Sequence, residues 1–388
     1  MSKPAWIIVG AGFTGAVVAE RIASVLDERV LVVDRRDHIA GNAYDYRGEN
    51  GLLIHKYGPH IFHTNSKRVW DYLSRFTEWR NYFHKVLGHI DGQLVPVPFN
   101  LNSIAQLFPS GMADRLSEKL VARYGFGTKV PILKMRADAD EDLKFLSDYV
   151  YRKVFETYTL KQWELRPEEL DPSVSARVPV HVSRDDRYFQ DSYQAMPVDG
   201  YTAMFRKILN HQNISVELST NYKDVCGDFK SARVIYTGPI DEYFNYSHGQ
   251  LPYRSLQFKH VPYSQEFAFP VGTVNYPNEF DFTRVTETKH LTGDRGPLSL
   301  LTQEYPEAYV PGTNEPYYPI PTTATSEALR PYRNLARELD GQVWFAGRLG
   351  DYAYYNMDQA CARAIALFDK QIAPVRQNGG RGQASRLA

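Results

Sequence analysis

The apolar pattern changes period twice within the first 34 residues. Residues 5–9 (AWIIV) form an unbroken apolar run, which predicts a short buried strand. Residues 14–26 place Val17, Val18, Ile22 and Val25 at helical spacing. Residues 29–34 (RVLVVD) return to a buried-strand pattern. A βαβ unit of this kind predicts a parallel sheet. Further along, residues 68–76 read as a helix, and 84–98 as a hairpin with Asp91-Gly92 at its turn. The span 101–165 is mostly helical, and its charged tract 136–145 resembles a solvated helix start. Residues 178–182, 214–218 and 232–236 read as strands, and 255–310 as a mixture of short strands and turns. Residues 343–346 (VWFA) form a last buried strand, followed by GRLGDYAYYNMDQACARAIALF, a turn running into a helix. The first strand and this last strand-plus-helix can share one sheet, with other domains inserted between them. The tail after about residue 374 is polar and glycine-rich, which predicts disorder. There is no internal repeat.

Between the first strand and its helix lies Gly10-Ala11-Gly12-Phe13-Thr14-Gly15. Gly10 permits a tight turn, Gly12 lets backbone approach a pyrophosphate, and Gly15 packs helix against strand. The helix start supplies amide donors and positive potential. Asp34 ends the next strand about twenty positions beyond the last glycine, where a ribose hydroxyl is read. Strand, loop, helix and acid together predict dinucleotide binding. Asp34 argues against NADP, because it repels a 2′-phosphate.

Composition narrows the rest. A chain of 388 residues suggests two or three domains. Lys+Arg and Asp+Glu balance at 45 each, which argues against nucleic acid or an anionic membrane as a dedicated partner. Cys226 and Cys361 are the only cysteines, so neither a disulfide framework nor a cysteine zinc site is available. No apolar run approaches a membrane span. A cytoplasmic protein is the plain expectation. Tyr (27) and Phe (20) are abundant, which suits a site that stacks flat rings.

Gly41-Asn42 makes a second backbone-rich turn after Asp34 and Arg35. Gly347-Arg348-Leu349-Gly350 makes another far downstream. Contacts from both parts of the chain favour FAD, a long cofactor, over NAD.

The blocks GAGFTGAVVAERIA, DRRDHIAGNAYD, YGPHIFHTN, YTLKQW, YFQDSYQAMPVDGYTAMF, YTGPIDEYF, YRSLQF, PYYPIP and GRLGDYAYYNMDQA resemble the bacterial UDP-galactopyranose mutase family, in the same order. The resemblance covers about residues 5–370. It implies an α/β fold: a Rossmann-like FAD-binding domain, an inserted helical domain and a six-stranded antiparallel β-sheet domain. The first would be discontinuous, over 1–66, about 205–245 and 335–374. The helical domain would span about 101–170. The sheet domain would take 67–100, 171–204 and 246–334. A homodimer is the family expectation, as is a role in making surface polysaccharide.

His60 and His63 sit in YGPHIFHT. H-x-x-H is a poor zinc pair, and no third ligand is placed nearby, so no metal is expected. A structural pair is the default from the residues alone. The resemblance instead implies a loop along the flavin, with His60, Ile61 and His63 beside it and His63 near its reactive face. A histidine there can tune the charge of the reduced flavin or shuttle a proton.

The implied reaction is a redox-neutral ring contraction, pyranose to furanose, on reduced FAD kept so by an external reductant. Flavin N5 displaces the nucleotide diphosphate from the anomeric carbon, and the 4-hydroxyl later closes the smaller ring. By the same resemblance Arg284, in FTRVTE, binds the diphosphate. Phe155, Tyr158, Thr159 and Trp163 contact the nucleotide and cap the site. Tyr193, Asn275, Tyr317, Tyr318 and Tyr354 fall in other matched blocks, and Tyr317 and Tyr318 point oppositely in an extended segment. Arg348 contacts the flavin, and the segment Tyr354–Gln359, with Met357, Asp358 and Gln359, turns a helix start toward it.

Two positions depart from the family pattern. His181 stands where a second diphosphate arginine is expected, and Asn356 where an aspartate is expected. Arg177, Arg184 or Arg187 would then supply the missing guanidinium, in a pocket re-tuned for another nucleotide sugar, 6-deoxy or N-acetylated. An FAD oxidoreductase and a non-catalytic flavin-binding protein are the competing readings.

Overall fold

The computed structural model describes residues 3–171 and 178–374. Arg177 and the tail beyond 374 lie outside the described residues. Five parallel strands form one sheet, in the order Ile214–Glu217, Val30–Val33, Trp6–Val9, Arg233–Tyr236 and Val343–Phe345. The register runs Trp6↔Val30 on one side and Trp6↔Arg233 on the other. The sheet therefore draws on early, middle and late parts of the chain. Its apolar runs are covered on both faces, as a parallel sheet requires. On one side Phe13–Arg21, Met357–Leu367 and Tyr201–Leu209 share a core with Ile8 and Val32. On the other, Ile7, Leu31 and Val33 meet Val225.

The second sheet has seven strands where six antiparallel strands were expected. Its order is Tyr318–Pro319, Tyr253–Tyr263, Ser299–Ala308, Arg284–Glu287, Thr273–Asn275, Val86–Ile90 and Gln93–Val97. One contact is parallel, Thr273 beside Val86. The last two strands form the predicted hairpin, with Asp91 and Gly92 both at positive φ, 48° and 78°. The whole helical region separates that hairpin from Thr273, and a crossover that long is what a parallel pairing needs. Two strands also outrun the expected short ones: Tyr253–Tyr263 and Ser299–Ala308 pair along their length. Pro262 and Pro306 interrupt the sequence pattern, yet both sit within this ladder.

The helical region packs Ile104, Leu116, Leu120, Ile132, Leu146 and Val150 into a separate core. Its charged tract starts a helix as expected. Asp140 accepts hydrogen bonds from the amides of Asp142 and Leu143 and caps Glu141–Val150. A wide-turned stretch, Tyr151–Glu156, then leads into the helix Thr157–Trp163. A small sheet of Phe62–Thr64, Tyr193–Pro197 and Trp79–Asn81 sets His63 opposite Gln194. The helix Lys67–Leu73, expected with the sheet domain, instead puts Val69, Tyr72 and Leu73 into the parallel-sheet core. No helix among the described residues is long and apolar enough to cross a membrane.

Candidate active site

Two clefts open beside the parallel sheet. The first has an empty volume of about 1220 Å³. Gly10, Gly12, Phe13, Thr14, Asp34, Arg35, Gly41 and Asn42 line it from the early chain. Tyr317, Gly347 and Arg348 line it from the late chain. Gly12 begins the helix Phe13–Arg21 with no side-chain cap, so its first-turn amides remain for a ligand. Bare backbone forms the cradle. A Cβ on Gly41 would come within 3.0 Å of Gly12 Cα, and one on Gly10 within 2.1 Å of Thr237 Oγ1. Gly15 does not line the cleft; a Cβ there would meet Gly10 O at 1.9 Å, so its role is packing. Asp34 stands at the cleft, and its carboxylate also holds the loop: Oδ2 accepts from the Ala11 amide at 2.8 Å and Oδ1 from the Arg36 amide at 2.9 Å. These features fit a dinucleotide.

The second cleft, about 2260 Å³, is made of side chains. The helix Thr157–Trp163 and the wide turn before it contribute Phe155, Tyr158, Thr159 and Trp163. Tyr158 and Trp163, five positions apart on that helix, both line the cleft. Ile61 and His63 come from the small sheet and its approach, and Asn275 and Arg284 from the large sheet. Tyr354 and Gln359 close the far side. Trp163, Tyr318 and Tyr354 form one ring cluster, with centroids 5.1–6.1 Å apart. Arg348 lies over Tyr318 at 5.1 Å, while its Nη2 donates to Tyr355 O at 2.6 Å. Tyr317 faces the first cleft and Tyr318 the second, the alternation an extended segment imposes.

The two clefts meet at His60, Arg348, Asn356 and Met357. A group bound along the first therefore presents its far end to a ligand in the second. Burial pushes the His60 imidazole down to about 3, so it is neutral at this junction. Burial also raises the Tyr158 and Tyr318 hydroxyls, which stay protonated donors. Burial works against the Arg284 charge, but Glu304, Tyr158 and Tyr318 together outweigh it and hold the guanidinium protonated.

Five expected residues fall elsewhere. His181 pairs with Lys129 in a short two-stranded ladder and is buried away from both clefts. The ladder turns it into the protein, so it does not stand in for a ligand-facing arginine. Arg184 and Arg187 do not line either cleft; Arg187 pairs with Asp185. Tyr193 stacks on Trp70 at 4.7 Å. Asp358 accepts from Thr64 Oγ1 at 2.9 Å instead of facing the junction.

Three further residues support the site without standing in any glycine or aromatic motif. Glu304, 2 % exposed, accepts Nε and Nη2 of Arg284 at 2.9 and 2.8 Å. It lies directly across the ladder from Arg284. Its cue is an acid on the inward phase of a strand. His84, 4 % exposed, also lines the cleft; burial, then Arg284 and His63, push it down to about 3. Asp191 accepts a hydrogen bond from His63 across 3.0 Å. Among the described residues no cluster of His, Cys, Asp and Glu could hold a metal ion.

A family profile described as UDP-galactopyranose mutase matches residues 153–354. A probable UDP-galactopyranose mutase of Klebsiella pneumoniae is 36% identical over 374 residues, spanning 95% of each chain. The chain belongs to the UDP-galactopyranose mutase family. A profile for NAD(P)-binding Rossmann-like domains matches residues 8–76, the part that builds the glycine cradle. A dTDP-fucopyranose mutase of Escherichia coli is 33% identical over 368 residues, covering 92% of this chain and 96% of its own. The crystal structure of a reduced UDP-galactopyranose mutase shares the fold, with a TM-score of 0.71 at 17% identity, over 96% of this chain and 94% of that one. Membership makes the protein an isomerase, a mutase between pyranose and furanose forms of a nucleotide sugar.

Proposed function

We propose that the protein interconverts UDP-galactopyranose and UDP-galactofuranose on a reduced FAD. The observation that supports this most is the meeting of the two clefts at His60, Arg348, Asn356 and Met357. An FAD suits the first cleft because its glycine cradle and Gly347-Arg348 lie far enough apart in the chain to grip a long cofactor at both ends. Reduced flavin, when bound, supplies the nucleophile for the anomeric carbon.

The protein's own groups then have two tasks. Arg284, anchored by Nε and Nη2 to Glu304, offers its third nitrogen, Nη1, to the departing diphosphate. Tyr158, Tyr318 and Tyr354 add donors without adding charge. Trp163 and Phe155 pack the nucleotide and exclude water. His63 accepts the proton that the 4-hydroxyl gives up as the smaller ring closes, and the neutral His60 adds no charge beside Arg348 at the junction.

The test is an anaerobic assay of dithionite-reduced protein with UDP-galactopyranose, followed by chromatography. The furanose isomer is expected, and it disappears when the flavin is oxidised. A parallel arm uses dTDP-fucopyranose, because a relative bearing that activity is almost as similar as the galactose enzyme. Turnover in that arm alone moves the assignment to the 6-deoxy sugar. No isomer in either arm, with hydrogen peroxide formed when the oxidised protein is given substrate in air, makes the protein an oxidoreductase instead.

A further inference from the structure

We propose that Asp191 is the positioning residue that sets the tautomer of His63, so that Nε2 is the proton acceptor of the substrate cleft. The inference rests on the mutase reading and sharpens it at one residue.

The geometry fixes three things at once. His63 Nδ1 lies 3.0 Å from Asp191 Oδ2. The carboxyl is held below its ordinary range, first by that hydrogen bond, so it is ionised and can only accept. The proton must then sit on Nδ1, and Nε2 carries the lone pair. The other carboxylate oxygen, Oδ1, accepts from Asn65 Nδ2 at 2.9 Å, and Asn65 Oδ1 accepts from the Ser192 amide at 2.9 Å. The carboxylate therefore cannot swing away. Phe189 stacks on the imidazole with centroids 3.6 Å apart and planes 13° apart, which fixes the plane of the ring. Strand pairing of His63 with Gln194 sets the register of both partners.

Other charges nearby do not compete for the ring. Lys129 faces Asp191, Asp358 is engaged by Thr64, and Arg284 is held by Glu304. His84 is kept neutral. Among the described residues, Asp191 is the hydrogen-bond partner of His63.

The chemistry needs one such acceptor. Converting a pyranose to a furanose transfers one proton from the 4-hydroxyl to the former ring oxygen, with no net uptake. The ring oxygen takes up a proton from solvent as the six-membered ring opens, Nε2 accepts the 4-hydroxyl proton as the five-membered ring closes, and the imidazolium returns that proton to solvent, so the balance is zero. Protonation of Nε2 makes an imidazolium, and the facing carboxylate stabilises it, as in other carboxylate–histidine pairs.

Long-range ¹H–¹⁵N spectra of histidine-labelled protein, flavin-free and flavin-loaded, read the tautomer directly, with His63→Gln giving the assignment. A proton on Nδ1 is expected, and one on Nε2 of the native protein overturns the inference without any kinetics. In the loaded, reduced enzyme Asp191→Asn is expected to lower kcat about 10–100-fold. KM stays within about twofold, because the substrate contacts remain. Asp191→Glu restores part of the rate. Full activity of Asp191→Asn beside an inactive His63→Gln sinks the role of Asp191 alone. Full activity of His63→Gln sinks the acid–base reading itself.

Discussion

The two clefts are made of different material. The dinucleotide cleft is mostly backbone: glycines, amides at a helix start, and one carboxylate tying a loop to a strand. The substrate cleft is mostly side chains, and its charge depends on an ion pair between the partly exposed Arg284 and the buried Glu304. The first is shaped by what is missing, a Cβ at three or four positions. The second is shaped by what is present and by the partner that keeps it in place. A backbone site is hard to alter without disturbing the fold. A side-chain site can be altered piece by piece, and each piece has its own cost.

The largest effect expected from that difference is at Arg284. Arg284→Ala leaves Glu304 buried and unpaired, which destabilises by about 3–5 kcal/mol and removes mutase activity. Replacing Arg284 and Glu304 together by Met restores most of the unfolding midpoint but none of the activity. If the single variant is as stable as the parent, the pair is not the linchpin of the second cleft. Next in size is Gly15→Ala, whose Cβ meets Gly10 O. Overpacking of this kind costs about 1–3 kcal/mol and should lower the flavin retained per chain, read by absorbance.

Acid acts on the second cleft more gently. His84 in the folded protein is held near 3, while in the unfolded chain it titrates at its ordinary value of 6.5. Between those values the unfolded chain carries the extra proton, so stability falls as pH falls below 6.5. The slope is about 1.4 kcal/mol per pH unit at most. His55, held to about 4 by burial, adds in the same direction. Urea midpoints from pH 7 to 5 should show the decline, and His84→Gln should flatten it. An unchanged slope means that His84 is not held neutral. The smallest effect is at His181. Because it lies outside the cleft, His181→Arg should not raise activity on UDP-galactopyranose, and a clear increase would redraw the cleft's boundary.

The same contrast explains what was legible in the sequence. The Rossmann cradle follows from local rules, because glycine spacing, the apolar strands and Asp34 all lie within 34 residues. The hairpin at Asp91-Gly92 and the cap at Asp140 are equally local. The substrate cleft joins residues from Ile61 to Gln359, and no periodicity announces such a meeting; the family resemblance located most of them. Tyr193 and Asp358 sit in matched blocks but turn to Trp70 and Thr64. His181 is taken by a two-residue ladder with Lys129 that no pattern at 178–182 reveals. Glu304 and Asp191 escaped for the opposite reason: each acts through another residue, and such roles appear only when the partner is in view.

The discontinuity of the parallel sheet has a consequence for the order of synthesis. Gly10 and Gly12 leave the ribosome early, whereas Gly347 and Arg348, which complete the same cleft, emerge near the end. The sheet waits as well, since Trp6–Val9 is flanked by Val30–Val33 at once but by Arg233–Tyr236 only much later. Until then a row of unpaired backbone groups and apolar side chains is open to solvent and to other nascent chains. A ligand of this cleft cannot assist folding during that interval, because Gly347 and Arg348 are made long after Gly10 and Gly12. Low yield on rapid overexpression, eased by slower translation but not by added flavin, is the expected signature of such a chain.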